Sequence, residues 1–192
     1  MSMPVASIDA EIAARIRHLR AARGLTLDAL ARQATVSRAM LSRVERGESS
    51  PTAQLLAKVC NGLGTTLASL FADAAAPASP LARCVDQPVW RDPGSGYLRR
   101  SVSPPNTGSA VDMAQIEFPP GATVHFDNTG AAGTDQHIWV LDGALELNLD
   151  GEPVRLGPGD CLWMPLDRPL RFHNPAPHPV RYLVVVSNGR AQ

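Results

Sequence analysis

From Ile8 to Phe71 apolar residues recur three and four positions apart, whereas beyond Leu81 they alternate in short runs broken by Gly, Pro, Asn and Asp. The first rhythm is that of amphipathic helices and the second that of half-buried strands. Ile12, Ile16 and Leu19 share one helical face, and Gly24 stands where a C-terminal cap would end the helix. Thr26 is placed to cap a second helix from Leu27 to Gln33. Ser37 is placed to cap a third from Arg38 to Arg46, which Gly47 stops. Ser50-Pro51 sets a capping hydroxyl before a proline suited to a first helical position, opening a fourth helix through Leu63. Leu67 to Phe71 reads as a short fifth. Strands are expected at 97–103, 111–118, 137–141, 144–149, 161–164 and 180–186, enough short segments for a β-sandwich or barrel. Between the two textures, 73–82 is small-residue and proline-rich, as linkers are. The expected organisation is therefore α + β in two domains: an all-α domain at 1–72, a linker at 73–82 and a β domain at 83–192.

Charge adds a polarity to this division. The whole chain balances 18 basic against 18 acidic residues. Within 1–71, however, nine Lys/Arg face Asp9, Glu11, Asp28, Glu45 and Glu48, while the remainder is acidic by the same margin. A basic half suggests a polyanionic partner. Cys60, Cys84 and Cys161 show neither a CxxC pair nor an even disulfide framework, so reduced thiols are expected. No apolar run approaches the roughly 20 residues of a membrane span, and the first thirty residues lack a signal-peptide pattern. A cytoplasmic protein with no membrane partner is expected.

The third helix carries the sharpest chemistry. Wound at about 100° per residue, it gathers Arg38, Ala39, Ser42, Arg43 and Arg46 on one arc and Met40, Leu41, Val44 and Glu45 on the other. Arginine reaches guanine edges or phosphates, and alanine can touch a thymine methyl, so this arc suits a major groove. The stretch Gly24-Leu25-Thr26-Leu27-Asp28-Ala29-Leu30-Ala31, then Val36 through Thr52, with Leu63-Gly64-Thr65-Thr66-Leu67-Ala68-Ser69-Leu70-Phe71 at the end, resembles the XRE family of helix-turn-helix regulators. That resemblance implies a five-helix DNA-binding domain with base-reading positions at Ser37, Arg38, Ala39 and Arg43. Thr26, Ser42 and Arg46 complete the candidate DNA-binding set. Many members carry glutamine where this chain has Leu27. The resemblance also pairs Glu45, which sits on the buried arc, with Arg20 as a structural ion pair.

In the strand half, Pro119-Pro120-Gly121-Ala122, Ile138-Trp139-Val140-Leu141-Asp142-Gly143, Leu156-Gly157-Pro158-Gly159-Asp160 and Pro165 resemble the cupin family, which implies a jelly-roll β-barrel over about 83–190. Metal-binding cupins supply two histidines, a glutamate and a third histidine. Aligned on these motifs, those positions hold Asp127, Thr129, Gln136 and Leu170, so no metal and no cofactor is expected. His125 shares strand parity with Asp127 and is expected to point inward, while His137 and His173 turn away. Arg99 and Arg100 lie on an early strand, and alternation sends one of them inward as an anchor for an anionic group. The candidate effector pocket is thus Arg99, Arg100, His125, Asp127, Thr129, Gln136 and Leu170.

With no Ser/His/Asp or Cys/His grouping, an enzyme is not expected. The expected protein is a transcription regulator whose partners are double-stranded operator DNA, a small-molecule effector and a second copy of itself. Homodimerisation is expected through the cupin half, where Trp90, Trp139 and Trp163 offer interface surface.

Overall fold

A computed structural model describes residues 8–71, 79–128, 133–149 and 151–188. Five helices come first: α1 (Ile8–Ala22), α2 (Leu27–Gln33), α3 (Arg38–Glu45), α4 (Ala53–Leu63) and α5 (Leu67–Phe71). Their ends follow local chemistry. The Thr26 hydroxyl accepts from the Ala29 amide and the Ser37 hydroxyl from the Met40 amide, each at 3.1 Å. For α4 the expected cap is corrected. Thr52, not Ser50, accepts from the Leu55 amide at 3.2 Å, and Ser50 instead donates its hydroxyl hydrogen to the Asp9 carboxylate. With the Ser50 hydroxyl engaged by Asp9, the cap passes to Thr52 and the helix begins at Ala53, two residues later than expected.

The helices enclose Ile12, Ile16, Leu30, Leu41, Val44, Leu56 and Val59, all almost fully buried. α2 and α4 approach so closely at Gly62 that an added Cβ would lie 2.8 Å from the Ala34 amide nitrogen. Beside this apolar centre Glu45 is only 7% exposed. Arg20 meets it in a two-pronged pair, Nε–Oε1 at 2.7 Å and Nη2–Oε2 at 2.8 Å, and donates a third bond to the Leu25 carbonyl at 3.0 Å. The Glu45 contact raises the Arg20 pKa above its ordinary value, against the opposing effect of burial.

A 3-10 turn (Cys84–Asp86) leads into the strands: β1 (Val89–Arg91), β2 (Leu98–Ser101), β3 (Val111–Phe118), β4 (Thr123–Phe126), β5 (Thr134–Asp142), β6 (Leu145–Leu149), β7 (Glu152–Leu156), β8 (Cys161–Pro165), β9 (Leu170–His173) and β10 (Val180–Asn188). They form a six-stranded sheet, β1-β2-β3-β10-β5-β8, facing a four-stranded one, β4-β9-β6-β7. Every pairing is antiparallel. Alternation sends Ile138, Val140, Ala114, Ile116, Phe118, Tyr182 and Val186 inward from the first sheet, and Leu145, Leu147, Phe172 and Val124 from the second. At Gly143 the chain takes φ +83°, and a Cβ there would lie 3.0 Å from the Pro179 carbonyl oxygen, so glycine alone fits this corner.

The linker expected at 73–82 falls mostly on residues outside those described. On either side of it the two halves share one hydrophobic core. Trp90, 1% exposed, packs its ring against Phe71 of α5 at 5.4 Å and Tyr97 at 5.7 Å. Its indole N–H donates to Asp9 at 3.2 Å. Asp92 accepts from the Ala53 amide at the head of α4 at 2.9 Å and from Ser95 N–H and O–H at 2.8 and 2.6 Å. A side chain from the strand half thus caps a helix of the other half.

Removing one partner of a buried ion pair leaves the other uncompensated, at a cost of about 3–5 kcal/mol when both are fully enclosed. Arg20 keeps 19% of its side-chain surface exposed, which places the loss near the lower end. Glu45→Gln is expected to lower stability by about 3 kcal/mol in urea unfolding. An unchanged midpoint would show the pair to be solvated.

Candidate functional site

On α3, Arg38, Ala39, Arg43 and Arg46 are exposed and Ser42 is half-buried, while Leu41, Val44 and Glu45 are buried. The first five together line a shallow surface groove. Side chains at spacing three and four share a helical face, so this face follows directly from the burial of the opposite one. The arginines differ in their partners. Arg38 Nε lies 2.9 Å from Asp28 Oδ1, both residues well exposed. Arg46 forks onto Glu48 at 2.6 and 2.7 Å and also meets the Ser42 hydroxyl. Hydrogen bonding raises the Arg46 pKa and lowers that of Glu48. Arg43 reaches only the Met40 sulfur, at 3.8 Å. Exposed pairs of this kind contribute about 0–1 kcal/mol and are easily exchanged for a phosphate or a base edge. Thr26 is exposed at the start of α2 with its hydroxyl engaged as a cap. Leu27 packs against the core, so its side chain makes no phosphate contact.

A second site lies inside the barrel. Between the sheets a cavity of ≈ 90 Å³ is lined mainly by apolar and aromatic residues, among them Ile116, Phe126, Leu170, Phe172 and Val186. Polar side chains also line it, among them Asn61, Thr65, Thr66, Asn128 and the two tyrosines Tyr97 and Tyr182. Two of the polar residues, Arg99 and Gln136, are almost fully buried at 6% and 5% exposed. Arg99 Nε and Gln136 Nε2 are buried nitrogens without a hydrogen-bond partner among the described residues. The Arg99 guanidinium stands 5.2 Å from the centre of the Phe71 ring. Burial lowers its pKa, opposed by the fields of Tyr97 and Asp112. Arginine remains charged all the same, so a cation with an unpartnered Nε is held in a largely apolar chamber. Desolvation likewise raises the pKa of Tyr97, Tyr182 and Cys60 beside it.

The pocket expected from the sequence is corrected at three positions. Arg100 is half-buried on the other face of β2, where it donates to the Cys84 carbonyl at 3.1 Å. His125 is exposed, because Val124 and Phe126 are the inward residues of β4. Asp127 lies outside the cavity lining and faces Lys58 of α4 at 3.7 Å. Thr129 falls outside the described residues. Arg99, Gln136 and Leu170 do line the cavity. His137 is exposed, and His173 is half-buried with Nδ1 3.0 Å from Glu146. These residues do not fit the metal of metal-binding cupins. Leu170 has no donor atom, Gln136 presents an unpartnered amide nitrogen, and Asp127 is turned to a lysine.

A helix-turn-helix domain family matches residues 11–70 and a cupin domain family matches residues 114–186. The chain is 31% identical over 145 residues to the HTH-type transcriptional regulator SutR of Escherichia coli strain K12, covering 76% of each protein. It belongs to the helix-turn-helix transcriptional regulators. Its fold is similar to the crystal structure of an HTH_3 family transcriptional regulator from Vibrio cholerae, with a TM-score of 0.78 and 26% identity, covering 95% of this chain and 98% of that one. A cupin domain of an XRE family transcriptional regulator from Enterobacter cloacae matches 49% of this chain and 98% of its own length, at 26% identity and a TM-score of 0.46. As a regulator of this family the protein binds DNA.

Sequence reading missed the contribution of the helical half to the regulator's cavity. Ala57, Cys60 and Asn61 of α4, Thr65, Thr66 and Leu67 form part of its wall. No local signal marks these residues, since their periodicity is that of any core-facing helix. Phe126 was within reach: Thr123-Val124-His125-Phe126 alternates in hydrophobicity and assigns its own inward face. Gln136 is retained at a stability cost, because an unsatisfied buried amide is unfavourable by about 1–3 kcal/mol. Gln136→Leu is expected to stabilise the ligand-free protein by about 1 kcal/mol, measured as a raised melting temperature. A lowered one would mean that Nε2 is hydrated or paired in solution.

Proposed function

We propose that this regulator reads double-stranded operator DNA as a homodimer and responds to a small organic effector held in the barrel. The observation that carries the reading is the pairing of an exposed arginine face on α3 with a separate chamber holding two unpaired buried donors. The α3 face supplies guanine- and phosphate-directed groups. The chamber supplies the few convergent polar groups in an apolar wall that mark ligand sites. The functional division is 1–72 for DNA and 83–192 for the effector and dimerisation, with cytoplasmic action on the chromosome. Nothing in the chamber resembles a nucleophile–base pair, which favours sensing over turnover.

For the dimer, the supporting observation is the outer face of the six-stranded sheet. Trp139, Trp163, Leu141, Met113 and Val111 are exposed there at 46%, 55%, 38%, 37% and 40%. Pairing sets Trp163 beside His137, His137 beside Val185 and Val185 beside Met113, a row crossing four strands. Trp90, by contrast, belongs to the core. A contiguous apolar patch of this kind marks an association surface, and a two-fold pair would present two α3 helices to half-sites a whole number of helical turns apart.

Arg38→Ala and Arg43→Ala are each expected to reduce binding to a selected genomic site by about 1–3 kcal/mol, with a smaller loss on random DNA. Gel-shift titrations measure both, and equal losses would reassign the arginines to phosphates. Trp163→Glu is expected to convert the dimer to monomer in sedimentation at micromolar concentration. A dimer surviving that substitution and Trp139→Glu would place the interface elsewhere.

A further inference from the structure

The chamber is a joint as well as a pocket. One wall is the corner between α4 and α5, and the opposite walls belong to the two sheets. Among the described residues, Arg99 is the only charged one in the lining, which contains no acidic side chain. Asp112 acts electrostatically on Arg99 but does not line the space. A carboxylate has two oxygens, and a guanidinium N–H and an amide N–H match them one to one. The rest of the lining is mainly apolar and aromatic, including Phe126, Phe172 and Val186, with Asn61, Thr65, Thr66 and Asn128 among it, and the cavity of ≈ 90 Å³ suits a small body.

We propose that this chamber binds a small organic carboxylate with an apolar body, its charge held by Arg99 and Gln136, and that the ligand reports to the DNA-binding half directly through the α4–α5 corner. The proposal rests on the effector-sensing reading above and specifies the ligand class and its route of action. The route follows from contacts already described. Arg99 stands over the ring of Phe71 in α5. A carboxylate on Arg99 competes for the guanidinium and alters that contact. It also packs against Cys60, Thr65 and Leu67. α4 is tied to the barrel at its head by Asp92 and along its length by Lys58–Asp127, so a change at the corner alters how the helices sit on the sheets. The same linkage makes DNA alter carboxylate affinity by the reciprocal factor.

The test uses the full chain with isobutyrate, isovalerate and benzoate, each compared with its primary amide, followed by calorimetric titration and by hydrogen exchange. At least one carboxylate is expected to bind about tenfold or more tightly than its amide, the difference expected of a charge-assisted bond. Arg99→Gln and Gln136→Leu, both folded by their melting curves, are expected to weaken that carboxylate by at least about tenfold and about threefold respectively. Exchange is expected to slow across 53–71 as well as in the barrel strands. Amides binding as tightly as carboxylates, or full affinity in Arg99→Gln, would overturn the ligand class while leaving effector sensing intact. Carboxylate binding that protects the strands but leaves 53–71 unchanged would overturn the route. If neither series binds, the proposal falls, and neutral or larger metabolites binding in a wider thermal-shift panel would keep the broader reading standing.

Discussion

The apolar seam between α4–α5 and the barrel is the contact on which the rest of this molecule depends. Trp90 fills its centre, touching Phe71 on one side and Tyr97 on the other. From Tyr97 the contact continues through Phe118 and Tyr182 to Phe172 and Phe126. Offset and edge-on rings of this kind add about 0.5–1.5 kcal/mol per pair beyond the surface they bury. The seam therefore joins the helical half and the barrel into one packed unit. Asp92 and Asp9 fix its orientation, because hydrogen bonds have a direction that apolar burial lacks.

Two ionic arrangements show how context decides what a buried charge does. Arg20 and Glu45 satisfy each other with a two-pronged pair, so their burial supports the fold. Arg99 has an aromatic face and distant fields but no hydrogen-bond acceptor for Nε. Burying a donor without a partner is unfavourable in the protein as it stands. The α3 arginines form a third class, exposed and loosely tethered by Asp28 and Glu48. Their tethers hold a geometry without committing much free energy to it.

Loss of the cupin metal donors fits this division of labour. The chamber has leucine and an amide where the cupin resemblance puts two metal ligands, and it keeps the barrel's shape. The comparison with SutR and the Vibrio cholerae regulator concerns both halves together.

Much of this was legible from residue order. Helix starts depend on hydroxyls a few residues away, so Thr26 and Ser37 announced α2 and α3. The reading face of α3 followed from helical spacing alone, and the strand half followed from alternation and its Gly, Pro and Asp turns. Thr52 takes the cap in place of Ser50, whose hydroxyl is engaged by Asp9 from a distant helix. Other features had no local cause. Arg99 and Arg100 are identical neighbours, and pairing of Arg99 with Trp90 on one side and Ile116 on the other chose which of them faces inward. His125 and Asp127 were assigned by counting from a family motif, but β4 takes its facing from its partner β9, where Val124 sits across from Phe172. The wall that α4 and α5 lend to the chamber joins segments some thirty to one hundred and thirty residues apart. Sequence determined the elements and the reading face, because those depend on neighbours within a turn or a strand. Only tertiary structure decided which polar groups were left unpaired inside, because that depends on what arrives from the far end of the chain.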